Sequence, residues 1–167
     1  MQVIELPPVI GVALNVAVWL CWSVAVGYVG HRRPLSSFAT DRWWSRLRQF
    51  ESRGSWYART LRIKAWKDRL PELGGLFAGG FAKRRVSCDR DYLERFAIET
   101  RRAEWVHWAA FLLWPVFGLW NPPWAVGVML LYALLANGPC LIVQRYNRAR
   151  LLRAAERLKP RSEFKQE

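Results

Sequence analysis

The sequence predicts an all-α membrane protein with three transmembrane helices and additional amphipathic or interfacial helices on the cytoplasmic side. Apolar and charged residues are segregated along the chain, although 52% of the 167 residues are hydrophobic and 23% are charged. A soluble domain would mix these classes along each element. Eleven residues are Trp, a side chain that favours bilayer interfaces. The length suits one domain, so we expect residues 1–167 to form a single integral membrane domain.

Three apolar segments have the position and length of membrane spans. The first covers about 8–29 and has Asn15 as its main polar interruption; about 20 such residues cross a hydrocarbon core of about 30 Å. No Lys or Arg precedes it, so it lacks the basic start of a signal peptide and is expected to be a retained anchor. The other spans are predicted at 105–120 and 124–143, joined by a tight turn at Asn121-Pro-Pro123.

Residues 31–103 and 145–167 are predicted to be cytoplasmic. These regions hold all 26 Lys and Arg residues, 18 in the first and 8 in the second, and positive charge stays on the cytoplasmic side of a membrane. The N-terminus and the Asn-Pro-Pro turn are therefore expected outside. The net charge of +13 indicates anionic lipid headgroups rather than nucleic acid, because no nucleic-acid-binding motif is present.

Local patterns predict the elements of the cytoplasmic regions. Within 41–50, apolar residues recur at helical spacing with arginines between them, which is typical of a helix lying in the membrane surface or packed on its neighbours. A second helix is predicted over 56–66. Pro and Gly predict a loop over 67–80, without the spacing of a phosphate-binding loop. Ser87 or Asp89 is a candidate N-cap for the helix that leads into the second span. The C-terminal tail is predicted to form a basic amphipathic helix.

The predicted hairpin of the second and third spans brings polar residues together at its cytoplasmic end. Residues equally far from the turn lie at similar depth, which places His107 level with Asn137 and Glu104 level with Cys140. Glu104 and His107 are three residues apart and share one helix face. Pro139 removes a backbone hydrogen bond and is expected to open the helix beside Asn137.

These polar residues are the candidates for chemistry. A neutral His can take a proton from a hydroxyl while a carboxylate orients its ring, so His107 is the candidate base and Glu104 the orienting group. Glu99 is a further catalytic candidate at the same membrane surface. The candidate substrate-binding residues are polar or cationic: Lys67, Asp68, Arg101, Arg102, Asn137, Gln144, Arg145, Tyr146, Asn147 and Arg148.

Among the binding candidates, two kinds of role are expected. Arg145, Arg148 and Arg150 suit phosphate or carboxylate groups, because a guanidinium can bind them bidentately. Tyr146 and Asn147 can donate hydrogen bonds to a developing oxyanion.

Other interpretations of the same residues stay open. Glu104 also suits an ion pair with Arg101, Arg102 or Arg145 that only closes the helix end. The Glu-x-x-His spacing occurs at metal sites of helical bundles, but a single pair with a single His disfavours a metal here. The three cysteines, Cys21, Cys88 and Cys140, are widely separated and indicate neither a metal site nor a disulfide framework.

Several motifs occur in the order found in one family of small bacterial membrane proteins. They are Glu51-Ser-Arg-Gly-Ser-Trp-Tyr57, Ile63-Lys-Ala-Trp-Lys-Asp-Arg-Leu-Pro71, Glu99-Thr-Arg-Arg-Ala-Glu-Trp-Val-His-Trp108, Trp120-Asn-Pro122 and Asn137-Gly-Pro-Cys-Leu-Ile-Val-Gln-Arg-Tyr-Asn-Arg148. With these motifs the chain resembles the glycosyl-4,4'-diaponeurosporenoate acyltransferases, which complete staphyloxanthin-type carotenoids. The resemblance implies transfer of a fatty acyl group to a sugar hydroxyl of a membrane-bound glycolipid, of which a glycosyl carotenoid is one example.

The implied reaction sets the expected partners and roles. An acidic acyl donor, either acyl-coenzyme A or an acyl carrier protein, would meet the basic cytoplasmic region, and a glycosylated lipid acceptor would lie in the bacterial cell membrane. Neither a cofactor nor a metal is expected. Arg145 and Arg148 would bind the donor phosphate or the acceptor head, Asn137 is a further oxyanion donor, and Lys67 and Asp68 would complete the site.

Two rival functions are compatible with the same residues. One is a membrane hydrolase or intramembrane protease that uses Glu104 and His107 on water. The other is a non-enzymatic membrane partner or lipid-binding scaffold, in which salt bridges would fill the polar cluster.

Overall fold

The computed structural model describes residues 2–51, 54–70 and 89–158. These residues form helices and no strand, which confirms the all-α class. The α-helices are α1 (Pro8–Arg32), α2 (Ser55–Thr60), α3 (Arg90–Phe111) and α4 (Pro123–Arg157). Short 3₁₀ helices lie at Leu35–Phe38, Gln49–Glu51, Ile63–Ala65, Lys67–Arg69 and Trp114–Leu119. The predictions for 71–88, which include Ser87 and Cys88, and for 159–167 lie outside the described residues.

Within the part of the chain that the structure describes, two helices, α1 and α4, are long and apolar enough to cross a bilayer. Each begins with Pro in its first turn, where the missing N–H has no intrahelical partner to lose. Their apolar side chains are largely exposed, as in Val9 at 81% and Leu135 at 67%. Exposed apolar surface over this length is consistent with membrane association. The predicted spans 8–29 and 124–143 are thus confirmed as helices.

The prediction of a third span at 105–120 is wrong. Helix α3 ends at Phe111, and the chain continues as the 3₁₀ helix Trp114–Leu119. Pro115 has no backbone N–H and disfavours α-helical geometry in the residue before it, so the α-helix does not run through this segment. Helix α3 also carries charged residues as far as Glu104, which leaves it no apolar stretch long enough to span.

The apolar layer is built from α1 packed beside α3 and the 3₁₀ segment that follows it. Near the end of α1, Gly30 permits close approach, because a Cβ there would lie 2.5 Å from Cγ2 of Val106. Near its start, Asn15 Oδ1 accepts hydrogen bonds from Trp120 Nε1 and Asn121 Nδ2, both at 2.8 Å. Helix α1 therefore runs antiparallel to the chain from Val106 to Asn121.

The predicted surface helix over 41–50 is replaced by a turn, irregular chain and the start of the 3₁₀ helix Gln49–Glu51. The Ser45 hydroxyl accepts a hydrogen bond from the Arg42 backbone N–H at 3.0 Å and closes the turn. The carbonyls of Trp44 and Ser45 accept hydrogen bonds from arginine side chains of α4, Arg145 and Arg148. These carbonyls are therefore not available to a helix of their own, and long-range contacts override the helical spacing of the apolar residues.

The predicted helix over 56–66 is shorter than expected. Helix α2 ends at Thr60, and Arg62 adopts a left-handed conformation with φ 46°. An L-residue in this region cannot continue a right-handed helix. Trp66 folds back so that its Nε1 donates to the Leu61 carbonyl at 2.9 Å, which brings Ile63 into a buried cluster.

Helix α4 passes through Pro139 without interruption and includes the predicted tail helix. The expectation that Pro139 opens the helix is therefore wrong. Its missing N–H costs one backbone hydrogen bond, but side chains on either side add bonds within the helix. Asn137 Nδ2 donates to the Ala133 carbonyl at 3.1 Å, and Cys140 Sγ donates to the Ala136 carbonyl at 3.8 Å.

At the start of α3, Asp89 occupies the N-cap position as predicted, but its side chain makes no capping hydrogen bond. Asp91 lies in the first turn, where a carboxylate interacts favourably with the helix dipole.

Candidate functional site

His107 of α3 meets Asn137 of α4 at the interface of the two helices. The distance from His107 Nδ1 to Asn137 Oδ1 is 3.2 Å, which confirms the predicted register. Because Asn137 Nδ2 donates to the Ala133 carbonyl, the amide presents its oxygen to the ring. An oxygen can only accept, so Nδ1 of the half-buried ring is the donor in this contact. In the neutral ring, a proton on Nδ1 gives the tautomer that a base acting through Nε2 requires.

Glu104, the predicted orienting residue, is bound by two arginines of α4. Arg145 Nη1 donates to Glu104 Oε1 at 2.6 Å, and Arg148 Nη1 lies 2.6 Å from Oε2. The carboxylate is fully buried. An ion pair between Glu104 and Arg145 was one of the interpretations left open by the sequence, and it is confirmed. Glu104 was expected at the depth of Cys140, but its described side-chain contacts are with the two arginines. Among the contacts described, His107 Nδ1 meets Asn137 and not Glu104.

Arg145 is the centre of a buried ionic cluster. Its Nε and Nη2 donate to the two oxygens of Glu51 at 2.8 and 2.7 Å. Its remaining donors bind Glu104 and the carbonyls of Trp44 and Arg46, at 3.1 and 2.9 Å for the carbonyls. All five N–H groups of the guanidinium are therefore directed at protein oxygens. Arg145 joins residues 44–51 to α3 and α4, and it has no donor left for a substrate phosphate.

Glu51 also belongs to this cluster, although the sequence predicted no catalytic or binding role for it. The Tyr57 hydroxyl donates to its Oε1, and the Arg48 backbone N–H donates to its Oε2 at 2.6 Å. Burial alone would raise the pKa of Glu51, but hydrogen bonds from Arg145, Tyr57 and the Arg48 backbone lower it to about 2. Burial and the Glu51 contact raise the pKa of Tyr57. The only sequence signal was the position of both residues in one motif.

Arg148 is fully buried beneath the cluster. Its Nη2 donates to the Ser45 carbonyl at 2.6 Å. Its Nε and Nη1, and Oε2 of Glu104, have no hydrogen-bond partner, although Nη1 and Oε2 are in ion-pair contact. Buried polar atoms are nearly always paired. The Glu104–Arg148 pair is therefore the part of the cluster with unused hydrogen-bonding capacity.

The other charged candidates on α3 are engaged in ion pairs. Glu99 pairs with Arg102 at 2.6 Å, and burial raises the pKa of Glu99 while Arg102 opposes the shift. Arg101 pairs with Asp41 at 2.7 Å and donates to the Ala39 carbonyl at 3.3 Å. Both arginines stabilise the protein's own contacts.

The remaining candidates make no contact with the ionic cluster of Arg145 among the contacts described. Lys67 and Asp68 form an ion pair with each other. Tyr146 is buried, and its hydroxyl accepts a hydrogen bond from Arg150 Nη1 at 3.4 Å. Gln144 and Asn147 are half-buried on α4. Within residues 2–51, 54–70 and 89–158, no group of three or more His, Cys, Asp or Glu side chains is placed to hold a metal ion.

Residues 40–157 match the profile of a protein family described as glycosyl-4,4'-diaponeurosporenoate acyltransferase. The chain belongs to this family. Relatives of the same name in Staphylococcus aureus strains bovine RF122 / ET3-1, USA300 and NCTC 8325 / PS 47 are each 30% identical over 146 residues. The alignments cover 87% of this chain and 88% of each relative. The protein is therefore an acyltransferase, as the resemblance implied. No solved structure matches the chain.

The match to the family covers both parts of the candidate site. It includes the His107–Asn137 contact and the ionic cluster of Glu51, Glu104 and Arg145, whereas α1 lies before the matched residues. Both features therefore belong to the region that this chain has in common with other acyltransferases.

Proposed function

We propose that the protein is a membrane acyltransferase that moves a fatty acyl group onto a sugar hydroxyl of a glycosylated lipid at the cytoplasmic leaflet. The relatives are named for action on glycosyl-4,4'-diaponeurosporenoate, so a glycosyl carotenoid is the first acceptor to test. The observation that carries the mechanism is the 3.2 Å contact between His107 Nδ1 and Asn137 Oδ1. It leaves Nε2 as the ring nitrogen that can accept a proton.

The membrane location rests on two helices and the orientation rests on charge. Helices α1 and α4 have the length and hydropathy of spans, and all 26 Lys and Arg residues lie in 31–103 and 145–167. Positive charge favours the cytoplasmic side. His107 lies where the charged half of α3 meets its apolar half. A sugar headgroup and the reactive end of an acyl donor would meet at this depth.

In the proposed reaction, His107 is the general base. Its Nε2 takes the proton of the sugar hydroxyl while the oxygen attacks the carbonyl carbon of an acyl thioester. A C–O bond forms, the C–S bond breaks, and the imidazolium returns the proton to the departing thiolate. The hydrogen bond from Nδ1 to Asn137 keeps the ring in the required tautomer throughout.

The ionic cluster positions the helices that carry these groups. Glu104 lies one turn before His107 on α3, and Arg145 fixes it to α4 and to the cytoplasmic chain. Of the three candidate oxyanion donors, Asn137 and Tyr146 already make contacts within the protein. Asn147 lies ten residues beyond Asn137, about 15 Å along α4. That is too far for a hydrogen bond to an oxyanion formed at His107, so we propose none of the three as the oxyanion donor.

Lipid analysis of a strain lacking this protein tests the proposal. We expect one acylated glycolipid to disappear, its unacylated precursor to accumulate, and the wild-type protein to restore the product. His107→Ala should not restore it although the protein reaches the membrane in equal amount, whereas Arg42→Gln, at an exposed position, should. A hydrolase would instead release free fatty acid or peptide. An unchanged lipid profile in the deletion strain would contradict acyl transfer.

A further inference from the structure

Trp43 lies in a turn formed by residues 42–46 and is 83% exposed. The backbone fixes this turn, because the Arg42 carbonyl accepts hydrogen bonds from the N–H groups of Ser45 and Arg46 at 3.0 and 2.8 Å. A single exposed apolar side chain is ordinary on a surface that faces water. The position of the turn along the apolar helices therefore decides what the Trp43 ring contacts. The proposed reaction assigns this ring no role.

Helix α4 holds the turn close to the end of its own apolar part, which lies near Val143. The Trp44 carbonyl accepts a hydrogen bond from Arg145 at 3.1 Å, and the Ser45 carbonyl accepts one from Arg148 at 2.6 Å. The Cα atoms of these arginines lie about 3 and 7.5 Å beyond Val143 along the helix. Helical side chains lean towards the N-terminus of their helix, which in α4 is the direction of the apolar part. The turn is therefore held within the depth of a headgroup layer, about 5–8 Å beyond the hydrocarbon core.

Helix α3 places the same segment at the corresponding boundary of its own sequence. Glu104 is the last Asp, Glu, Lys or Arg of α3, and Arg145 binds Glu104 as well as the Trp44 carbonyl. Phe38, which precedes the turn, packs on Trp105, with ring centroids 6.2 Å apart. The turn thus lies beside the point at which charged sequence meets apolar sequence in both helices.

An exposed tryptophan also marks the opposite end of the apolar part of α4. Trp124 lies in the first turn of the helix and is 74% exposed. Positions 124 and 145 are separated by about 31 Å along the helix axis, close to the thickness of about 30 Å of a hydrocarbon core. Leu131 and Leu135, between these positions, are exposed. Tryptophan rings are enriched at both edges of a bilayer core, and Trp43 has the position of the ring at the second edge.

We infer that Trp43 and Arg46 form a lipid-contact surface, with the Trp43 ring among the headgroups of the cytoplasmic leaflet. The side chain of Arg46 is exposed in the same turn, and its carbonyl binds Arg145 at 2.9 Å. Its guanidinium pairs with lipid phosphates, which makes a phospholipid the partner of this surface. The inference rests on the proposed membrane location, and it assigns a membrane contact to a segment that does not span the bilayer.

The depth of a fluorophore in the full chain tests this inference. The native thiols of Cys21, Cys88 and Cys140 are removed by substitution with Ser, and Trp43→Cys is labelled in nanodiscs of phosphatidylcholine and phosphatidylglycerol. We expect the label to lose more fluorescence to a nitroxide on the lipid headgroup than to a neutral water-soluble nitroxide or to one at the end of an acyl chain. Arg46→Cys, at the other exposed position, should give the same order.

Two labels on α4 calibrate the measurement. Leu135→Cys, at a position that is 67% exposed in the apolar part, should lose most fluorescence to the acyl-chain nitroxide. Arg153→Cys, at an exposed position about 15 Å beyond Val143, should lose most to the water-soluble nitroxide. Unchanged unfolding temperatures would show that the labelled proteins keep their fold.

Three results at position 43 would overturn the inference. Quenching like that of the Arg153→Cys label would place the turn in water, and quenching like that of the Leu135→Cys label would place it in hydrocarbon. Protection from all three nitroxides would mean that protein covers the ring. In each case an acyl-chain signal from the Leu135→Cys label leaves the proposed membrane location standing. If that label too is quenched mainly from water, the membrane location and the inference both fail.

Discussion

At the scale of single residues, Asn137 offers a test of what orients the proposed base. Asn137→Leu removes the acceptor of the His107 Nδ1 proton, and we expect acyl transfer to fall about 10- to 100-fold because the wrong tautomer becomes populated. Asn137→Asp keeps an oxygen acceptor and should retain more activity than the Leu variant. The measurement is the initial rate of acylated glycolipid formation in membranes with matched protein amounts. Equal rates for the Leu variant and the wild type would exclude this role of Asn137.

The Glu51 carboxylate predicts how stability depends on pH. Its pKa in the folded protein is about 2, below the ordinary value of 4.5, so its contribution is fully present above about pH 4.5 and is lost as the pH falls towards 2. The difference corresponds to about 3 kcal/mol. We expect the unfolding temperature of the wild type in detergent to fall between pH 5 and pH 3, and that of Glu51→Gln to be lower at pH 7 but to change less.

Asp68 supplies the control for this measurement, because its carboxylate is 77% exposed and pairs only with Lys67 among the ion pairs described. Asp68→Asn should leave the pH dependence as in the wild type. A profile for Glu51→Gln as steep as that of the wild type would mean that other carboxylates cause the acid sensitivity.

Single residues also show what the sequence could predict about the site. That His107 lies beside Asn137 could be predicted, because the two residues are equally far from the short Asn121-Pro-Pro123 turn and a short turn fixes which residues of the two segments face each other. The contact of Arg145 with Glu51 joins residues 94 positions apart, and no periodicity connects them. Without a visible protein partner, the guanidinium of Arg145 was expected to bind a substrate phosphate. In the structure its five donors all meet protein oxygens.

At the scale of elements, the approach of α1 to α3 depends on Gly30. A Cβ at this position would lie 2.5 Å from Val106, so Gly30→Ala should destabilise the packing by about 1–3 kcal/mol. Gly11→Ala is the matched control in the same helix, because nothing lies within 4 Å of its added Cβ and Ala favours a helix over Gly. Thermal unfolding should give a lower midpoint for Gly30→Ala and an unchanged or higher one for Gly11→Ala. The same midpoint in both variants would contradict this close packing.

The elements differ in how far composition determines them. Helices α1 and α4 were predictable because a long apolar run that begins with Pro has few alternatives to a helix. The segment 105–120 has a similar composition, but Pro115 divides it between the end of α3 and a 3₁₀ helix. Over 41–50, carbonyls bound by arginines of α4 replace a helix that the apolar spacing favoured.

At the scale of the whole molecule, the buried ion pairs around Arg145 and the contact of His107 with Asn137 have separate roles. The buried ion pairs join α3, α4 and residues 44–51, and the half-buried imidazole of His107 lies where the charged part of α3 meets its apolar part. Helix α1, which lies before the residues matched to the family, is tied to this unit through Asn15, Trp120 and Asn121. The exposed apolar surface of α1 and α4 is consistent with membrane association.

The most direct test of His107 as the base is the rate of acyl transfer by purified protein in nanodiscs, with saturating acyl-coenzyme A and a glycosylated lipid acceptor. We predict that His107→Ala lowers the rate of acylated glycolipid formation at least about 100-fold, with the unfolding temperature as in the wild type. A His107→Ala rate within about twofold of the wild type would fall far below the effect of a general base and would contradict the mechanism.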